Sequence, residues 1–340
     1  MVKINVLVTA VGNAGVGSQI VEALKLSNLE LNIVGTDISN FCIPQLNKFY
    51  KVPKATDPDY SMVIDRIISE NSIHAIFPNS RAEIKFFLCN RQKYENRGIG
   101  IPLNSENIQE ICENKYHLFS YLSEKGISVP RFLKINKIED CYKISFFPVV
   151  IKPNILASAS EHVYIAFDVE DAICYTTVML KRGLDIVVQE YVGDMNSEYT
   201  IGVTSDNASN ILGTIVIHRL YYSAISYKNK FRIGDKSYAI SSGITQGEVV
   251  QDENIALQAQ NIAQCLNSCG PLNIQGMVVN RQLLLFDAHP TITGSVSIRA
   301  LAGYNEPENF LREKILGQVS RYTYRNIQVM RKLISEIKGE

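Results

Sequence analysis

Charge of one sign, long apolar runs and paired cysteines are all missing from this chain of 340 residues. Lysine plus arginine and aspartate plus glutamate both number 34, so the formal net charge is zero. A protein whose main partner is nucleic acid needs a basic footprint for the phosphate backbone, and this composition provides none. No uninterrupted apolar segment approaches the roughly 20 residues of a membrane helix. The first ten residues carry one lysine and a strand-like run, not an apolar leader ending in small residues. Secretion and membrane insertion are therefore not expected, and a cytoplasmic location is. The cysteines (Cys42, Cys89, Cys112, Cys141, Cys174, Cys265 and Cys269) are odd in number and scattered. Only Cys265 and Cys269 are close, with no histidine nearby, which predicts reduced, packing cysteines. Internal repeats and low-complexity linkers are also absent.

What remains is an ordinary globular composition, 46% apolar and 20% charged, in a chain long enough for two domains or three small ones. Residues 3–11 read as a buried strand, 12–27 as a glycine turn opening a helix, and 31–39 as a second strand ending near Asp37. A helical period over 60–71 and a short strand at 74–80 follow. Strands alternating with helices imply a parallel sheet with right-handed crossovers, closing near residue 112. Next, Asn114 caps a helix that Gly126 and Pro130 stop. Strands are expected at 147–154 and 161–167, then a helix from Asp168 to about Arg182. The segments DIVVQEYV, SEYTIGVTS and NILGTIVIHRLYY read as successive strands of a largely antiparallel sheet. A helix over 253–269, a hairpin over 275–294 and a helix-rich tail complete the chain.

Two local patterns point to chemistry. Gly12, Gly15 and Gly17 lie between a strand and a helix, where backbone N–H groups can face an anion. The turn serves either tight helix–strand packing, a pocket for a small substrate, or a dinucleotide with Asp37 on its ribose. In the hairpin, Asp287 and His289 are two apart and leave the same face, and Gln275 on the partner strand can reach it. Three such ligands on rigid strands could hold a hydrated divalent cation beside a nucleotide triphosphate.

The order of segments resembles the ATP-grasp superfamily, close in layout to its biotin-dependent carboxylase and carbamoyl-phosphate synthetase large-chain branch. The resemblance implies a Rossmann-like pre-ATP-grasp α/β domain over 1–112. It is followed by a two-subdomain α+β ATP-grasp fold over 113–186 and 187–315, with a helical tail over 316–340. It implies ATP and Mg²⁺ (or Mn²⁺) as cofactors and an ATP-dependent carboxylate–amine ligase acting on small molecules through an acylphosphate. Homodimers are common among such proteins. Lys115 falls at the family's entry helix, and Lys152 in FPVVIKP on the strand whose lysine meets the α- and β-phosphates. Ser158 and Ser160 sit in NILASAS, where relatives place a glycine-rich loop over the phosphates. In QEYVGDMNSEYTIGV, Glu190, Tyr191 and Val192 match the adenine hinge and Glu198 the ribose contact. Arg219 matches the arginine on the transferred phosphoryl group. LLLFDAHPTITGS matches the metal strand, with Gln275, Asp287 and His289 as its ligands and Thr291 where relatives carry arginine. Imidazole suits manganese or zinc better than magnesium, so His289 is alternatively a partner of phosphate or water. Arg299 is expected on the substrate carboxylate or acyl group. Gly12, Gly15, Arg81 and Glu83 are expected at the substrate, although Arg81 and Glu83 could equally form a surface pair. The tyrosine-rich segment 219–231 is either a lid or packing against the sheet. Two other functions stay open: nucleotide binding without ligase chemistry, and an NAD-dependent oxidoreductase built on the glycine turn.

Overall fold

The structure is a computed structural model that describes residues 3–12, 15–40, 45–155, 161–320 and 322–331. Its first unit runs β1 (Ile4–Val8), α1 (Val16–Lys25), β2 (Leu31–Asp37), β3 (Lys48–Lys51), α2 (Tyr60–Glu70), β4 (Ala75–Phe77), α3 (Arg81–Cys89), α4 (Arg91–Glu95) and α5 (Glu106–Glu113). The four strands form a parallel sheet in the order β3-β2-β1-β4. Val6, Leu7 and Val8 are fully buried because helices cover both faces of the sheet. At Gly17 an added Cβ would lie 2.4 Å from the Ala10 carbonyl oxygen, so only glycine lets α1 press onto the end of β1.

The second unit contains α6 (Lys115–Glu124), β5 (Phe132–Ile135), β6 (Val149–Pro153), β7 (Tyr164–Ala166), α7 (Val169–Lys181) and β8 (Ile186–Glu190). Asn114 caps α6 by accepting from the His117 N–H, and Asp168 caps α7 by accepting from Asp171. The strands pair antiparallel in the order β5-β8-β6-β7. A division at 186/187 would therefore cut β8 away from its own sheet. The crossover falls later, between Glu190 and Glu198, because β8 pairs with β5 on one side and β6 on the other, whereas β9 lies in the next sheet.

The third unit runs β9 (Glu198–Ser205), β10 (Ile211–Arg219), β11 (Tyr227–Ile233), β12 (Lys236–Ser241), β13 (Gly247–Val250), α8 (Glu253–Cys265), β14 (Pro271–Val279), β15 (Gln282–His289), α9 (Val296–Ala302), α10 (Glu306–Lys314) and β16 (Ile327–Val329). Six strands form one antiparallel sheet, β15-β14-β9-β10-β13-β16, while β11 and β12 make a separate hairpin. Ile255, Ala259 and Ile262 of α8 and Leu118 and Leu122 of α6 close one face of the large sheet. The described part of the tail, up to residue 331, departs from the helical expectation. After α10 it runs to β16, which pairs with β13 through Gly247 and Val329. Its alternating Ile327 and Val329 pack with Tyr304 and Val249, giving a strand an apolar face to bury.

Val296, Ala300 and Leu311 of α9 and α10 share a core with Val6, Ile20 and Leu24 of the first unit. Each of the valine, leucine and isoleucine side chains contributes about 1.5–3 kcal/mol by burial. That shared core ties the turn after β15 to the first domain. Asn104, fully buried, reinforces it: its amide donates to the carbonyls of Pro271 (2.7 Å) and Pro290 (3.2 Å) and accepts from Ser268 and the Cys269 N–H.

Candidate functional site

The β14–β15 hairpin turns through Asn280 (φ 51°) and Arg281 (φ 63°), the left-handed pair that a two-residue hairpin of matching twist requires. Gln275 stands opposite Asp287, and Asn273 opposite His289. Between them the register slips: Gly276 pairs with Leu285, leaving Phe286 as an extra residue on β15. In a regular strand Asp287 would follow Leu283 and Leu285 into the core. The bulge reverses that parity, so Ala288 is buried while Asp287 and His289 face a cleft. Gly276 is required here, since a Cβ would meet Leu283 at 2.7 Å and the Leu284 carbonyl oxygen at 2.9 Å.

The cleft has a volume of about 710 Å³ and lies between the three units. It gathers most of the residues singled out from the sequence: Gly15, Arg81, Lys115, Lys152, Glu190, Tyr191, Val192, Glu198, Arg219, Gln275, Asp287 and His289. Lys115 and Lys152 are 6% and 5% exposed. Lys115 Nζ donates to Asp287 Oδ1 at 2.8 Å, and His289 Nε2 lies 3.5 Å from Asp287 Oδ2. Lys152 Nζ donates to Gln189 Oε1 (2.7 Å) and the Phe286 carbonyl (2.9 Å), so the bulge residue also fixes this lysine. Burial, reinforced by Lys115 and partly opposed by Asp287, pushes the Lys152 ammonium down to about 7. Burial alone would raise the Asp287 carboxyl, but Lys115, His289 and Lys152 outweigh it and hold it well below the ordinary carboxylate range.

Beyond the lysines, Val150, Val192, Ile240, Met277 and Phe286 form an apolar slot between the second and third units. The β11–β12 hairpin supplies one wall, and Tyr191 ties it in by accepting from the Ala239 N–H at 3.1 Å. Of the tyrosine-rich segment, Tyr221 is held down on Glu198, and Phe231 packs edge-on against Phe167. Glu190 is clamped at the rim by Arg131, whose Nε and Nη2 donate to its two oxygens at 2.8 and 2.6 Å.

Several residues stand differently from expectation. Glu198 is 2% exposed, lies 3.2 Å from Arg219 and accepts a short hydrogen bond from Tyr221. Its carboxylate is shared between the Arg219 guanidinium and the Tyr221 phenol. Arg299 does not line the cleft. It is 1% exposed, its Nη1 lies 3.1 Å from both oxygens of Glu306, and its Nη2 bonds Asn273. The charge that suggested a substrate contact instead joins α9 to the start of α10. Glu83 is also away from the cleft: it forms a capping box with Ser80 and accepts from Tyr60. Burial raises its carboxyl. The Ser-x-x-Glu spacing at 80–83 was the signal for that role. Arg81 reaches the rim but pairs with Glu113 at 2.9 Å. Gly12 donates to Asp37 Oδ2 (2.7 Å), and Asp37 Oδ1 accepts from Ser39. Asp37 thus closes its own loop, which removes the ribose ligand of the dinucleotide reading. Ser158 and Ser160 lie outside the described residues.

Gln189, Asn104 and Arg331 were not singled out from the sequence. Gln189 is 1% exposed in the cleft wall, with a buried Nε2 that lacks a partner among the described residues. For these three, a lone polar residue carried no motif that could have found it.

No protein-family model and no curated protein matches the sequence. Solved structures do match in shape. An L-amino acid ligase from Bacillus licheniformis superposes with a TM-score of 0.63 at 15% identity, over 92% of this chain and 74% of that one. The N5-carboxyaminoimidazole synthetase of Staphylococcus aureus complexed with ADP gives 0.64 at 13%, over 94% and 79%. The biotin carboxylase domain dimer of Hydrogenobacter thermophilus 2-oxoglutarate carboxylase, with MgADP, ADP and bicarbonate, gives 0.63 at 14%, over 94% and 71%. The chain has the ATP-grasp fold. At these identities the likeness establishes the architecture. Among the described residues no helix is long and apolar enough to cross a membrane.

Proposed function

We propose that this protein is an ATP-dependent ligase that activates a carboxylate and joins it to an amine. The observation that carries the proposal is the convergence of two buried lysines and the bulge-turned Asp287 at one end of an apolar slot. The slot suits a nucleobase, with Tyr191 and Val192 at the hinge, and Lys115 and Lys152 suit the phosphates behind it. Lys152, stripped of water and without a carboxylate in ion-pair contact among the described residues, binds polyphosphate more strongly than an exposed lysine would.

The donor set fits a magnesium ion carried by nucleotide phosphates: one carboxylate, Asp287, directly opposite one amide, Gln275, on paired strands. Both carboxylate oxygens now face cations or imidazole, so Lys115 and His289 hold Asp287 charged and oriented. When bound, the ion would add positive charge at the transferring phosphoryl group. His289 acts on Asp287 here and not as a third ligand. The chain's own part in the reaction is to hold the reactants. A carboxylate oxygen attacks the γ-phosphorus and ADP departs. The amine nitrogen then attacks the acyl carbon, the bond to the phosphate oxygen breaks, and the nitrogen loses a proton. Arg219, held by Glu198, lines this cavity and stabilises the developing negative charge.

Purified protein should release ADP from MgATP in the presence of some member of an amino-acid and small-acid panel, and hydroxylamine should trap the acyl intermediate as a hydroxamate. K152A and D287A should each abolish this. MgATP binding without ADP release or hydroxamate across the panel would favour a nucleotide-binding protein without ligase chemistry.

A further inference from the structure

Arg331 lies two residues past β16, yet its side chain returns to the cleft wall. Nη1 donates to Gln19 Oε1 on α1, and Nη2 donates to the Gly294 carbonyl (2.8 Å) and Ser297 Oγ (3.0 Å). Every one of these acceptors is neutral. Nε is buried with no partner among the described residues. Among the described residues no carboxylate stands within ion-pair distance. Burial and the neighbouring Arg219 push this guanidinium down to about 10, with Glu22 only partly opposing them. Arg219 has Glu198 as its counter-charge; among the described residues Arg331 has none.

A desolvated cation with neutral partners only is unfavourable, and a neutral amide could bridge α1 and α9 without that penalty. The charge is therefore explained by a ligand. The partners also say which ligand. Lys115, Lys152 and Asp287 belong to α6, β6 and β15, whereas Arg331 is held by Gln19 on the first domain's α1, by Ser297 on α9 and by the turn before α9.

We propose that Arg331 binds an oxyanion, a carboxylate or a phosphate, of the second substrate at the first-domain end of the cleft. The proposal rests on the ligase reading above. A planar guanidinium held by three fixed acceptors meets such a group in a single orientation and would set which acids or amines are accepted.

The test uses the full chain and its R331Q and R331K variants. MgADP affinity is measured by calorimetry. Binding of succinate, L-glutamate and inorganic phosphate is then measured on the MgADP-loaded protein. The expected result is saturable binding of at least one probe by the wild type, weakened about tenfold or more in R331Q and less in R331K. MgADP affinity should stay within about twofold and the unfolding midpoint should not fall. Binding of the carboxylates but not phosphate assigns a carboxylate, and the reverse assigns a phosphate group. Unchanged probe binding in R331Q, no saturable probe in the wild type, or a parallel loss of MgADP affinity overturns the proposal. A wild type that binds no MgADP sinks the ligase reading instead, and the same probes on nucleotide-free protein then decide the Arg331 site separately.

Discussion

Adding nucleotide to this protein at alkaline pH should draw a proton out of solution, and Lys152 sets how large a fraction. Its ammonium is pushed from an ordinary 10.5 to about 7 by burial and by Lys115. At pH 8 such a group carries its proton in only about a tenth of molecules, in about half at pH 7, and in about nine-tenths at pH 6. Phosphates placed against Nζ replace the lost hydration with negative charge and return the pKa toward its ordinary range. Binding of MgADP should then take up about 0.9 proton at pH 8, about 0.5 at pH 7 and about 0.1 at pH 6. Calorimetry in HEPES and in Tris, whose ionisation heats differ, measures this number directly from the difference in observed enthalpy. Working at pH 8 keeps the nucleotide's own phosphate titration out of range. K152M, titrated at higher protein concentration to offset its weaker binding, should show almost no uptake. Equal enthalpies in the two buffers at pH 8, or an uptake that survives in K152M, would refute the reasoning. The first outcome would mean that Lys152 is already charged in the empty cleft.

The same shift has a consequence for stability without ligand. Because the folded pKa of Lys152 lies below the unfolded one, the unfolded state binds more protons between pH 7 and 10.5, and wild-type stability should rise with pH across that window. K152M should therefore be the more stable protein at pH 7 by about 1–3 kcal/mol, with the gain vanishing near pH 10.5, as read by urea unfolding. E198A leaves Arg219 buried without its counter-charge and should cost about 3–5 kcal/mol; a loss within about 1 kcal/mol would mean that the pair is solvated. R299M should lower stability by a similar amount, about 3–5 kcal/mol, and R299M/E306L should recover part of it because both charges leave together. MgADP affinity unchanged in the double variant would agree with a purely architectural Arg299. N104A removes an amide with four hydrogen-bond contacts between the first domain, the start of β14 and Pro290, and should cost about 2–4 kcal/mol in unfolding experiments.

The strand and helix pattern of the first domain and the order of the segments that bring Lys115 and Lys152 to the cleft were readable because each rests on local signals. Buried parallel strands are continuous apolar runs, and Asn114 and Asp168 announce their helices. The pairing of β8 was not readable, since a strand's partners depend on chain far away in sequence. β16 was missed because three residues give too little alternation to compete with the helical period before them. The reach of Asp287 into the cleft was inferred from its spacing to His289, but the physical cause is the Phe286 bulge. Strict alternation from Leu283 and Leu285 predicts the opposite face. Arginines proved hardest to place. Arg219 and Arg299 look alike in sequence, each following a run of apolar or small residues; one faces the cleft and the other is sealed under α9 and α10. Only the location of a carboxylate partner, Glu198 or Glu306, separates them.

Charge pairing also explains why the cleft is organised around two ends. Within it Lys115 is matched by Asp287, Arg219 by Glu198, and Arg81 by Glu113. Lys152 and Arg331 are left, among the described residues, with neutral partners only. Both are pushed toward deprotonation by burial and by a neighbouring cation, Lys115 in one case and Arg219 in the other. Such unfavourable charge is a feature of sites where a ligand relieves it. One anion at each end of a single cavity is what a reaction joining a nucleotide phosphate to a second anionic substrate requires. It also predicts positive coupling between the ends: the first anion to bind reduces the repulsion among the cleft's cations. A carboxylate or phosphate probe should bind MgADP-loaded protein more tightly than empty protein. If loading weakens it, the two ends compete for one anion and Arg331 belongs to the nucleotide.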